Sequence, residues 1–175
     1  NKGGVWIGSD THSYNEDYGT KIHCGPKFAV YKGWAIGTSG TARVNGFIKE
    51  NAEALLKKAK SPQEIRERFF SLVRKSGWDL ATYKGVPQSV DNDWIIASDK
   101  IWTGDCLMDF SEVGEFASMG SGAKIAYGAF GMYKRLSEYV RGGIPLSSEG
   151  LVGEILKVVE KENIYCNGVW EHKLR

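Results

Sequence analysis

Cysteine is scarce in this chain: 175 residues hold three, Cys24, Cys106 and Cys166. The number is odd and no C-x-x-C pair occurs, which argues against a disulfide frame and favours reduced thiols in a cytoplasm. Histidine is equally sparse. His12, His23 and His172 stand at no ligand spacing with cysteine or carboxylates, so no metal or other cofactor is expected. An excess of either charge is missing as well. A net charge of +2 supplies no electrostatic footprint for nucleic acid or an acidic membrane. No apolar run approaches the roughly 18 residues of a membrane-spanning helix, and no signal-peptide pattern is present. No G-x-x-x-x-G-K-[ST] motif occurs, so ATP is not bound through a P-loop. Internal repeats and low-complexity tracts are also missing.

What remains is the composition of an ordinary globular protein, 42% hydrophobic and 25% charged. The expectation is a single domain over residues 1–175. Its first third reads as strands: Val5-Trp6-Ile7 leading to Asp10, then Lys27–Tyr31 and Trp34–Thr38 joined by a Lys32-Gly33 turn. Between Thr11 and Pro26 the chain is polar and turn-rich. Helix formers fill Thr41 to about Ala59. Ser61, Pro62 and Glu64 then form an S-x-x-E capping box with proline in the first turn, and Ile65, Phe69, Leu72 and Val73 recur on one helical face. Gly77 marks that helix's end.

Strands return at Trp94–Ser98 and Ile101–Thr103, around an Asp99-Lys100 tip, and Phe116–Met119 leads into Gly120-Ser121-Gly122. A helix from Ala123 to about Tyr139 carries Ala126, Gly128, Ala129 and Gly131, small residues that predict close packing on a neighbour. Another helix begins near Ser148, and Asn163–Cys166 reads as a last short strand. Segregated helices and antiparallel strands predict an α+β architecture: two stacked sheets with a helical layer on each outer face.

Asn1-Lys2-Gly3-Gly4 is a hairpin signal, because glycine reaches positive φ without steric cost. A hairpin needs a strand on either side, so Val5–Ile7 is expected to pair with a strand ahead of Asn1.

Four stretches, in order, resemble the proteasome β-subunit family, and within it the peptidase subunit of the bacterial two-component ATP-dependent heat-shock protease. Gly4–Asp10 resembles the family strand that ends in a catalytic aspartate. Lys27-Phe28-Ala29-Val30, followed by Gly37–Ala42, resembles the catalytic-lysine strand and its glycine turn into a helix. Met119–Gly122 with Ala126-Tyr127-Gly128 resembles the G-S-G signature. Glu154-Ile155 through Ile164–Asn167 resembles the bacterial subunit's last helix and strand. The resemblance implies the four-layer αββα sandwich of N-terminal nucleophile hydrolases and assembly into homo-oligomeric rings that cleave polypeptide. It also implies an N-terminal threonine whose hydroxyl attacks while its α-amine takes the proton. That nucleophile is expected upstream of Asn1. A chain that lacks the strand altogether would be a silent ring subunit.

The resemblance assigns further roles. Lys27 would favour the neutral, proton-accepting amine by like-charge repulsion, the free amine having an unperturbed pKa of about 7.7–8.0. Asp10 would hold Lys27 charged and in place. Taken alone, these two read as a strand-end aspartate and a surface lysine; within the run of motifs they read as catalytic. Lys21, followed by Ile22, is a weaker rival to Lys27. Ser121 would hydrogen-bond near the nucleophile's amine, although a helix cap explains it too. The backbone N–H of Gly40 is the oxyanion-hole candidate, with Ser39 one position away as the alternative.

Four positions depart from the family pattern. Asn163 and Cys166 replace an aspartate and a serine, Tyr14 replaces a cleft-lining threonine, and Arg43 replaces an aspartate after the glycine turn. With no ATP motif in the chain, any unfolding is expected from a separate ATPase. A small-amide hydrolase on the same fold is a further reading.

Overall fold

The computed structural model describes residues 4–15, 20–78, 82–83, 86–87, 92–139, 148–163 and 165–174. In chain order the elements begin with strands β1 (Trp6–Ser9), β2 (His12–Asn15), β3 (Thr20–His23), β4 (Phe28–Tyr31) and β5 (Trp34–Ser39). Helices α1 (Ala42–Glu50), α2 (Ala52–Leu56) and α3 (Pro62–Lys75) follow. Next come β6 (Thr82–Tyr83), β7 (Val86–Pro87), β8 (Asp93–Ala97), β9 (Ile101–Gly104) and β10 (Phe110–Val113). The chain closes with α4 (Ala123–Tyr139), α5 (Ser148–Glu162) and β11 (Trp170–Lys173). Two compact units result, one of residues 28–117 and one of residues 1–27 with 118–175.

The 28–117 unit is built on a five-stranded antiparallel sheet in the order β10-β9-β8-β5-β4. Ala29, Ile36, Trp94 and Ile96 turn one face of this sheet towards Val44 and Ile48 of α1, Leu55 and Leu56 of α2, and Ile65, Phe69 and Val73 of α3. Period-2 strands and period-3.6 helices thereby bury their apolar residues together. Phe69 meets Trp94 edge to face at 5.2 Å. α3 starts as its sequence predicts: Ser61 Oγ accepts from the Glu64 N–H at 3.2 Å. The return bond differs, because Glu64 Oε2 accepts from the N–H of Lys60 rather than that of Ser61.

The helix expected over Thr41 to Ala59 is two. Asn51 Nδ2 donates to the Phe47 carbonyl at 2.9 Å, and the backbone leaves helical geometry there (φ −109°, ψ 16°). A short amide side chain that competes for backbone partners is the physical cause.

In the other unit β1 pairs antiparallel with β11, Trp6 opposite Lys173 and Ser9 opposite Trp170. α5 lies on β1 at Gly8, where a Cβ would run into Leu156 and Val152. Among the described residues no strand pairs with the other edge of β1. The stretch expected to be polar turns holds the β2–β3 hairpin, His12 opposite His23. Its polar side chains conceal any alternation. Of the last strand expected over Asn163–Cys166, Ile164 lies outside the described residues, and Asn163, Tyr165 and Cys166 are not in a strand. Asn163 Oδ1 accepts from the Tyr165 N–H at 2.9 Å and the Asn163 carbonyl from the Cys166 N–H at 3.1 Å, which makes a turn, and the last strand is β11. Phe116–Met119 is irregular.

Candidate active site

Asp10 follows the last residue of β1, and Lys27 directly precedes β4. Their side chains meet: Lys27 Nζ donates to Asp10 Oδ2 at 2.8 Å, with 25% and 17% of each side chain exposed. A half-buried pair is less screened by salt than one on open surface. Ser9 keeps the two in register. It is buried, and its Oγ accepts from the backbone N–H of Lys27 at 3.0 Å. Neighbouring residues on both sides of the contact are therefore tied together, and the ammonium group is held by more than its own flexible stem.

The chain beyond Asp10 is also anchored. The Thr11 N–H donates to the Asn167 carbonyl at 3.0 Å, and His12 Nδ1 lies 2.7 Å from the same oxygen. Gly168 next to it has φ of 72°, and a Cβ there would overlap Thr11 Oγ1. In the sequence the only signal of this anchor is Gly168 after Asn167, a residue that permits close backbone approach.

Ser121 lies within Gly120-Ser121-Gly122, the turn that starts α4; Gly120 has φ of 82°. Ser121 Oγ is 3.8 Å from Cys166 Sγ. A Cβ on Gly122 would collide with Val159 and crowd Cys166 Sγ, so the small residue lets the turn pack on the end of α5. Asn163 is buried and serves the turn after α5. Tyr14 and the rival Lys21 are backbone partners in the β2–β3 hairpin, and their side chains lie outside the described residues.

Ser39 and Gly40 belong to the 28–117 unit, at the end of β5 just before α1. Gly40 has φ of 131°, a backbone conformation that L side chains rarely adopt, so glycine is required by geometry there. Arg43, one of the departures, lays its guanidinium over the Trp78 ring at 4.7 Å. Among the described residues no group of three metal-binding side chains occurs, and no helix is long and apolar enough to cross a membrane.

The chain has an α+β fold, antiparallel sheets with helices, similar to that of proteasome-like proteins. Its particular likeness is to HslV-type subunits. BPH from Thiobacillus denitrificans, in a complex with epoxomicin, superposes with a TM-score of 0.75 at 17% identity, covering 100% of this chain and 96% of that one. The same protein in a second structure gives a TM-score of 0.72 at 17% identity, over 99% and 94% of the two chains. HslV from Trypanosoma brucei gives 0.64 at 14% identity, over 97% and 92%. No family model and no curated protein sequence matches the chain. At these identities the likeness shows the fold alone.

Proposed function

We propose that the chain is a threonine-type endopeptidase subunit of a ring-shaped, proteasome-like protease. The observation that carries this reading is the Asp10–Lys27 ion pair at the end of β1, a strand whose second edge has no partner among the described residues. In the reading, residues ahead of Asn1 form the missing strand and begin with the nucleophilic threonine. Its hydroxyl proton passes to its own α-amine, its oxygen adds to the scissile carbonyl, and the N–H of Gly40 receives the developing oxyanion. Collapse releases the new amine, which takes that proton, and leaves an ester on the threonine. Water then attacks the ester, frees the carboxylate product and restores the hydroxyl.

Lys27 supplies a nearby positive charge that favours the neutral amine, and Asp10 holds it there. Ser121 is assigned to the amine's surroundings. Substrate polypeptide is taken to reach the site inside a homo-oligomeric ring, delivered by a separate ATPase, in a cytoplasmic setting.

Epoxomicin, held by the similar BPH structure, gives a direct test. The full mature protein should cleave a fluorogenic peptide, and epoxomicin should abolish that cleavage. A folded protein that cleaves nothing and takes up no epoxomicin refutes the peptidase and leaves a silent ring subunit. Cleavage of small amides but not peptides would point to an amidase instead.

A further inference from the structure

One buried polar side chain outside the residues assigned so far grips the turn that carries Gly40. β5 and β8 pair as far as Ser39 opposite Asp93. Gly40 and Asn92 would be the next rung, but the ladder stops, and the Asn92 side chain takes over. Asn92 is 2% exposed. Its Oδ1 accepts from the Thr41 N–H at 3.3 Å, and its Nδ2 donates to Thr38 Oγ1 at 2.6 Å. Thr38 Oγ1 passes the chain on by donating to the Asp93 carbonyl at 3.0 Å. A single amide thus holds both ends of the four residues Thr38–Thr41.

Burying such an amide is costly unless both its donor and its acceptor are used, and here both are. The turn needs this restraint. Gly40 is exposed and conformationally permissive, and Thr41, the residue that caps α1, makes no side-chain cap bond of its own.

We propose that Asn92 is a positioning residue for the oxyanion donor: by holding Thr38 and Thr41 together it keeps the Gly40 N–H in one orientation. This rests on the peptidase reading above. An oxyanion donor stabilises charge only insofar as it is fixed in advance, and a displacement of about 1 Å can cost about 100-fold in rate.

The test uses the full mature protein and a fluorogenic peptide, together with hydrogen–deuterium exchange at the Thr41 amide. Asn92→Ala should lower kcat by about 10- to 100-fold with KM changed less than about threefold, while the pH midpoint of kcat stays in place. Exchange at Thr41 should quicken by about tenfold or more. Thr38→Val, which removes only the hydroxyl, should lower kcat by about three- to tenfold, and Thr38→Ser should restore it to within about twofold of the parent. If Asn92→Ala fails to fold, the two Thr38 variants decide the matter in the same way. An unchanged kcat in Asn92→Ala, a loss confined to KM, or unchanged exchange at Thr41 overturns the proposal. A parent protein that cleaves no peptide overturns the peptidase reading instead. The exchange measurement then judges the grip alone: faster exchange supports it and unchanged exchange overturns it.

Discussion

Asp10 and Lys27 are 17 positions apart, and what brings them together is local. β1 stops at Ser9, whose hydroxyl takes the Lys27 backbone N–H, so the residues after the one and at the other must face each other. Replacing Lys27 by alanine should lower peptide cleavage by at least about 100-fold while leaving folding and assembly intact. Asp10→Asn should do nearly the same to the rate and cost only about 1 kcal/mol of stability, since the pair remains partly solvated. Thermal unfolding measured beside a cleavage assay separates the two effects; full activity in Lys27→Ala would remove that residue from the mechanism. What singles the two out in the sequence is the resemblance of Gly4–Asp10 and Lys27–Val30 to family strands; alone they read as a strand-end aspartate and a surface lysine. Asn92 was not legible there. It follows a stretch without periodicity and works through a partner 54 residues away in sequence, Thr38.

Helix α3 depends on its first turn. Ser61→Ala should lower stability by about 1 kcal/mol, read from denaturant unfolding, through loss of the bond to the Glu64 N–H. Glu64 itself makes stability depend on pH. The Lys60 backbone N–H first, and Arg68 second, hold its carboxyl below the ordinary value of 4.5. A depressed carboxylate stabilises the folded state above its unfolded pKa, and that contribution disappears as pH falls through the folded value. Glu64→Gln should therefore be less stable than the parent at pH 7, and the deficit should shrink below about pH 4. A deficit that persists in acid would contradict this account.

Helix α4 overturns an expectation. The small residues Gly128 and Gly131 predict close packing on a neighbour, yet a Cβ on either would meet nothing within 4 Å. Alanine at each should then stabilise the chain by up to about 1 kcal/mol. Destabilised assembly in those variants would show that another subunit approaches there. The bounds of α4 were legible because small and apolar helix formers follow the G-S-G turn. The break at Asn51 and the strands β10 and β11 were not. One depends on a side chain's competition with the backbone, and β11 (Trp-Glu-His-Lys) is too polar to show as a buried strand.

At the scale of the whole molecule, the segregation of helices and antiparallel strands was legible from pattern alone, and the structural likeness to HslV-type subunits agrees with it. The chemistry rests on individual side chains: Asp10 and Lys27 form an ion pair, and Gly40 holds a positive φ at the end of β5. The central claim is that a threonine ahead of Asn1 completes the β1 edge and works with Lys27. Its most direct measurement is the intact mass and N-terminal residue of the mature protein, taken on the same preparation that is assayed with a fluorogenic peptide. The account predicts an N-terminal threonine several residues before Asn1 and a cleavage activity lost on its replacement by alanine. A mature chain that starts at Asn1, or one that cleaves peptide just as well without that threonine, would contradict it.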